Sequence, residues 1–230
     1  MSHLSITSDR VPQIGTDWAF WRQWVAAHAI AELGGLGGAA LIGVLVFARF
    51  EAALTPLLAA LIMIVGGTFL EGVMVGVAQW LVLRQAISRM PWKSWIAATA
   101  VGAFVAWTLG MIPSTIMSMA ETESAAASPE ISEWIIFSLA ALMGLVLGPI
   151  LALPQWWVLR RYVERASWWI PANALAWMVG MVLVFVGVGL TPESISLVPA
   201  LFLLITFALA GATVGAIHGL FLIRLLKQEE

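Results

Sequence analysis

Apolar residues run along this chain in six long blocks separated by short polar clusters. Four blocks, 94–120, 134–159, 166–192 and 194–223, contain no Asp, Glu, Lys or Arg. Two more, roughly 23–48 and 53–83, are interrupted by one carboxylate each, Glu32 and Glu71. A helix needs about 20 residues to cross a hydrocarbon layer ~30 Å thick, and every block is long enough. None alternates polar and apolar positions as a barrel strand does, and lipid offers backbone amides no partner outside a helix or closed barrel. The pattern predicts an all-α integral membrane protein with six transmembrane helices. A polar tail (1–17) precedes a single membrane domain (18–226), and a short tail (227–230) follows it.

The six blocks are three copies of one helical hairpin, about 18–88, 89–164 and 165–226. The first helices begin Trp24-Val-Ala-Ala-His28-Ala-Ile-Ala, Trp95-Ile-Ala-Ala-Thr99-Ala-Val-Gly and Trp169-Ile-Pro-Ala-Asn173-Ala-Leu-Ala. The second helices end Gly72-x3-Gly76-x2-Gln79, Gly148-x3-Ala152-x2-Gln155 and Gly211-x3-Gly215-x2-His218. Positions i, i+4 and i+7 share one helix face, and small-xxx-small faces let two helix backbones approach closely in lipid. The polar residue on that face therefore points at a neighbouring helix. Parallel repeats are related by an axis along the membrane normal, so a pseudo-threefold bundle is expected. Its axis would gather a polar ring of His28, Thr99, Asn173, Gln79, Gln155 and His218. As interhelical hydrogen bonds these groups contribute about 0.6 kcal/mol each; as a pocket they would bind a solute.

Charge sets the orientation. The termini and the 2–3 and 4–5 loops hold Arg10, Arg22, Arg84, Arg89, Lys93, Arg160, Arg161, Arg165, Arg224 and Lys227, and the opposite side holds Arg49 alone. The positive-inside rule then puts both termini in the cytoplasm of a cell with this protein in its plasma (inner) membrane. The 3–4 loop, with Glu121, Glu123, Glu130 and Glu133, is acidic. Trp18, Trp21, Trp24, Trp80, Trp92, Trp95, Trp156, Trp157, Trp168 and Trp169 cluster at the cytoplasmic boundary, where they read as an interfacial anchor belt.

Composition removes other classes. Hydrophobic residues make up 61% and charged residues 10%, against about 25% charge in soluble domains, and mean hydropathy is +0.96. The lipid bilayer is thus the first partner. Without cysteine there is no disulfide, iron–sulfur ligation or thiol nucleophile. The basic residues form no patch of the kind nucleic acid requires. Residues 1–17 lack an apolar segment of the secretory type, so the first helix is expected to direct insertion.

The copies differ where chemistry is expected. Glu32 aligns with Ala103 and Trp177, and Glu71 with Leu147 and Ala210, so both carboxylates belong to the first copy. A carboxylate at membrane depth costs several kcal/mol unless paired, protonated or hydrated, and is a functional hypothesis by default. His28 and His218 stand where the other copies carry a hydroxyl or amide. Pro149 and Pro154 should kink the fourth helix before Gln155, and Gly34, Gly35, Gly37 and Gly38 mark a close-packing face on the first.

The strings Gln-Trp-Leu-Val-Leu-Arg (79–84) and Gln-Trp-Trp-Val-Leu-Arg (155–160), each followed by a Trp-rich helix start, resemble those of uncharacterised bacterial multipass membrane proteins with repeated hairpins. The resemblance spans most of residues 70–190 and implies architecture, with no activity attached. Mitochondrial carriers also have three two-helix repeats, but their Pro-x-Asp/Glu-x-x-Lys/Arg signature is absent here.

Four functions fit these features. Transport of a small solute, proton or cation would run along the axis, with the six-residue ring and Glu32 and Glu71 as its elements. A non-catalytic accessory or assembly subunit of a membrane complex would use the glycine faces. A haem or chlorin would be held by His28 and His218, brought together if the bundle closes into a ring; axial histidine is common for haem. An intramembrane enzyme is the weakest, because no nucleophile elbow, metal-ligand triad or paired-Asp motif accompanies His28-x3-Glu32. No catalytic residue or metal-ligand set is expected. Reporter fusions at 84–93 and 160–167 should both report cytoplasm. Opposite locations for the two would remove the shared level of the polar ring and the proposals built on it.

Overall fold

The structure is a computed structural model that describes residues 17–50, 55–123, 132–191 and 197–227. Arg10 and Glu130, and the side chains of Arg49, Glu121 and Glu123, lie outside what is described. Among the described residues every regular element is helical. We name the long helices α1 (Asp17–Phe50), α2 (Pro56–Ala86), α3 (Trp92–Glu123), α4 (Glu133–Leu159), α5 (Trp169–Gly189) and α6 (Leu197–Lys227). All six are long and apolar enough to cross a membrane. Their outward positions, such as Phe69, Ile30, Leu57 and Ile205, are exposed apolar side chains. An apolar surface of this extent suits hydrocarbon, not water.

Local signals explain the helix ends. Thr55 caps α2: its Oγ1 accepts the Leu58 N–H at 3.2 Å, and Pro56 occupies the first turn, where its missing N–H costs nothing. A single 3-10 turn, Ala166–Trp168, leads into α5. Before it, Arg165 adopts a left-handed conformation (φ 51°, ψ 25°) that reverses the chain. In the two short loops Ile87, Met90 and Val163 turn inward and are buried, and the Trp80 indole donates to the Met90 carbonyl at 3.2 Å.

Each helix packs on its sequence neighbours, and α6 packs on α1, so the six form a closed ring. The glycines of the second helices account for three of the six seams. A Cβ on Gly72 of α2 would lie 2.8 Å from Ala103 Cβ and 3.0 Å from Ala100 Cα of α3. One on Gly148 of α4 would strike the Asn173 carbonyl of α5, and one on Gly211 of α6 would lie 2.6 Å from the His28 carbonyl of α1. The small face of each second helix thus meets the first helix of the next copy, and the last copy meets the first. In α1 the glycines divide their work. Gly34, Gly35 and Gly38 face Met74, Glu71 and Leu70 of α2, while Gly37 faces Leu204 of α6.

One departure from regularity matters. Between Pro56–Gly67 and Val73–Ala86, α2 widens into a π turn, Thr68–Gly72, that contains Glu71. Neither α4 nor α6 does so at the equivalent level. Such turns are rare and frequent at functional sites. The expected kinking prolines, Pro149 and Pro154, leave α4 a single helix, as Pro113 does α3.

The seams predict that Gly148→Ala, which forces the α4 and α5 backbones apart, lowers stability by about 1–3 kcal/mol. Gly110→Ala, whose Cβ meets nothing within 4 Å, should be neutral or stabilising by up to ~1 kcal/mol. Thermal unfolding in detergent, followed by loss of the monodisperse species, measures both; equal effects would contradict the seam assignment.

Candidate functional site

Three tryptophans build the site. Trp24, Trp95 and Trp169 are each 0% exposed, which corrects the anchor-belt assignment for these residues. Trp18, Trp92, Trp157 and Trp168 remain exposed, and Trp21, Trp80 and Trp156 are intermediate. The Trp95 indole donates to Gln79 Oε1 at 3.1 Å and the Trp169 indole to Gln155 Oε1 at 3.0 Å. The Trp24 indole donates to His218 Nδ1 at 3.0 Å. In every case the first helix of one copy reaches the second helix of the preceding copy, and the last bond joins α1 to α6. A buried indole N–H without an acceptor would cost about 1–3 kcal/mol, so these bonds tie the Trp to the amide or imidazole.

The polar residue one turn beyond each Trp returns to its carbonyl. His28 Nδ1 lies 2.9 Å from Trp24 O, Thr99 Oγ1 3.0 Å from Trp95 O, and Asn173 Nδ2 2.8 Å from Trp169 O. Across the centre, Gln155 Nε2 donates to Gln79 Oε1 at 2.8 Å and to Thr99 Oγ1 at 2.9 Å, and Gln79 Nε2 lies 3.0 Å from His28 Nε2. All six expected ring residues are buried. They line one cavity together with Glu32 and Glu71.

Donor and acceptor rules fix the imidazoles. A carbonyl only accepts, so His28 Nδ1 carries the hydrogen and Nε2 offers its lone pair to the Gln79 amide. Gln79 cannot be reversed, because its Oε1 already accepts from Trp95 and Gln155. An indole only donates, so His218 Nδ1 is the unprotonated nitrogen. The pattern is satisfied by two neutral rings whose centroids are 4.6 Å apart. A haem or chlorin does not fit here. The lone pairs on His28 Nε2 and His218 Nδ1 are engaged, and ring contact leaves no space for a macrocycle. The described residues also contain no group of three or more His, Cys, Asp or Glu side chains arranged to hold a metal ion.

The carboxylates differ from the ring. Glu32 is 1% exposed, and neither of its oxygens has a hydrogen-bond partner. It lies against α6 at Gly211, where a Cβ would come within 2.6 Å of its Cγ. Glu71 is 7% exposed and its Oε2 accepts from the Trp107 indole at 2.7 Å. Two glycines create that position. Gly35 lets α1 pass over Glu71, with a would-be Cβ 2.7 Å from its Cα, and Gly67 lies flat beneath the Trp107 ring. Sequence reasoning missed Trp107, which lies 36 positions from its partner and has no counterpart in the repeat motif.

The cavity shared by the ring and the carboxylates has a volume of about 20 Å³. A water needs roughly 10–15 Å³ by this measure, so one water-sized species fits and a larger solute does not. Between the ring and the short loops Trp24, Trp95 and Trp169 pack with Leu83, Leu159 and Leu222, all 0–1% exposed, in one buried cluster. A second cavity of about 240 Å³ adjoins it, and Glu71, Ala103, Leu151 and Trp177 line both.

The third copy's departure from the Gln-Trp string has a steric cause. Trp80 and Trp156, half-buried against the core cluster, lie under Arg84 and Arg160, each guanidinium 5.0 Å from the ring centroid. At Gly219 a Cβ would lie 2.7 Å from Trp24 and 3.2 Å from Trp21, so no Trp can stand there. Trp21 covers the position and donates to the Ala216 carbonyl at 3.0 Å.

No protein-family model, curated protein or solved structure matches the chain. The site therefore rests on its geometry. Gln155, like Gln79, makes three bonds in that geometry, and Gln155→Leu strands the Trp169 indole. The variant should lose about 2 kcal/mol of stability, whereas Trp157→Phe at the exposed neighbouring position should change it little. A loss no greater than the ~0.6 kcal/mol average for bonds between membrane helices would show that the ring does not hold the bundle.

Proposed function

We propose that the chain spans a membrane as three parallel hairpins about a pseudo-threefold axis, with both termini cytoplasmic, and conducts protons or single small cations through the cavity on that axis. One observation carries this reading: a fully buried carboxylate, Glu32, has no protein partner and faces a cavity sized for one water or one dehydrated ion. Unpartnered ionisable groups inside membrane proteins mark ion and proton pathways, and a native protein rarely leaves a buried polar atom unsatisfied without reason. The repeated Trp–amide bonds support the frame, and the carboxylates, present in one copy alone, support the site.

The size of the cavity narrows the small-solute class. A proton needs no more than a chain of exchangeable groups, and Glu32, a single water and Glu71 supply one. The buried cluster of three Trp and three Leu lies between the ring and the short loops. Conduction toward the loops then requires that cluster to open, as alternating access does.

The accessory-subunit reading loses one of its supports, because the glycine faces that suggested a partner are used between the chain's own helices; the small loops remain compatible with it.

Proteoliposomes carrying a trapped pH dye test the proposal. Glu32→Gln and Glu71→Gln should each slow proton entry at least about tenfold, a barrier change of about 1.4 kcal/mol. Glu133→Gln, at the exposed start of α4, should retain wild-type flux. Wild-type rates and unchanged pH dependence in both buried variants would remove the mechanism.

A further inference from the structure

The larger cavity has the opposite character from the polar ring. Its walls are mostly apolar, among them Leu36, Met111, Met143, Leu147, Met181 and Val184, with the rings of Trp107 and Trp177 beside them. Among the described residues Glu71 is its single ionisable lining residue, and no Lys, Arg or His lines it. The volume, about 240 Å³, exceeds the roughly 150 Å³ of an apolar cavity that admits benzene. A substituted aromatic or branched aliphatic molecule therefore fits.

Charge complementarity selects the ligand. Apolar pockets take their specificity from a few placed polar groups, and here that group is a carboxylate whose Oε2 already accepts an indole hydrogen bond. A second acceptor or an anion gains nothing beside it. A cation gains the carboxylate, and indole faces attract desolvated cations further. Methionine walls adapt to ligands of varied outline. We infer that this cavity is a binding site for lipophilic monocations, quaternary or protonated amines bearing an aromatic or branched apolar group, with Glu71 as counter-ion.

The inference rests on the ion-conduction reading and gives it a second substrate. Glu71 borders both cavities, so a cation held on the apolar side and a proton arriving from the polar side compete for one carboxylate. The titratable groups that share the polar cavity with it are Glu32 and His28 on α1 and His218 on α6; α3, α4 and α5 add none to either cavity. Binding exchanges one positive charge for another, leaving the buried site no more charged than before.

The experiment is equilibrium binding of radiolabelled benzyltrimethylammonium to the whole protein in lipid nanodiscs. Wild type should bind saturably. Glu71→Gln should raise the Kd at least about tenfold. So should Gly110→Leu, which extends into the cavity from a wall position where a Cβ meets nothing within 4 Å, with an unchanged melting temperature as the check that it folds. Absence of saturable binding to wild type, or an unchanged Kd in either variant, overturns the inference. Its failure is separable from that of the conduction reading: proton flux without cation binding removes the inference alone, and cation binding without flux removes conduction alone.

Discussion

In an apolar surrounding a polar side chain has no water to fall back on, and every N–H and carbonyl must find its partner in the protein. Three buried tryptophans meet that demand by handing their indole hydrogen to the amide or imidazole of the preceding copy: Trp95 to Gln79, Trp169 to Gln155 and Trp24 to His218. The last of these joins helices at opposite ends of the chain. Without it the buried core of the α1–α6 seam would be held by packing, with the half-buried Trp21–Ala216 bond at its edge. The glycine faces bring the same helix pairs close enough for the bonds to form. Close approach and hydrogen bonding are thus two expressions of one arrangement, repeated three times with the side chains varied.

Much of this was legible in the chain. The six helices follow from block hydropathy, and the burial of Gln79, Gln155 and His218 follows from their place one turn past a small-residue face. Less legible was the side on which each Trp would fall. An indole suits a headgroup layer and a buried acceptor equally well, and proximity to basic residues suggested the former for all ten. The signal that separates them is recurrence. Trp24, Trp95 and Trp169 occur in all three copies with a polar residue four positions on, whereas Trp80 and Trp156 occur in two. The Trp107–Glu71 bond and the π turn could not be read, because each depends on how α1, α2 and α3 cross.

The sequence repeat accounts for the recurring bonds, and the departures from it mark where the copies differ. Ring residues are satisfied by one another and by the three buried tryptophans, down to the tautomers of His28 and His218. Glu32 is not, and nothing in the repeat requires it, since Ala103 and Trp177 occupy its place elsewhere. Glu71 sits where the helix is locally unwound and where the small polar cavity meets the large apolar one. A chain made of three similar parts in sequence has in this way acquired one unlike copy, and both buried carboxylates lie within it.

The ring of indole bonds is open to direct observation. In protein labelled with 15N-tryptophan and held in nanodiscs, the indole signals of Trp24, Trp95 and Trp169, assigned by Trp→Phe replacement, should exchange with deuterium far more slowly than those of Trp18, Trp92, Trp157 and Trp168. Exchange of all seven at comparable rates would mean that these bonds do not close the bundle, and the enclosed site would lose its frame.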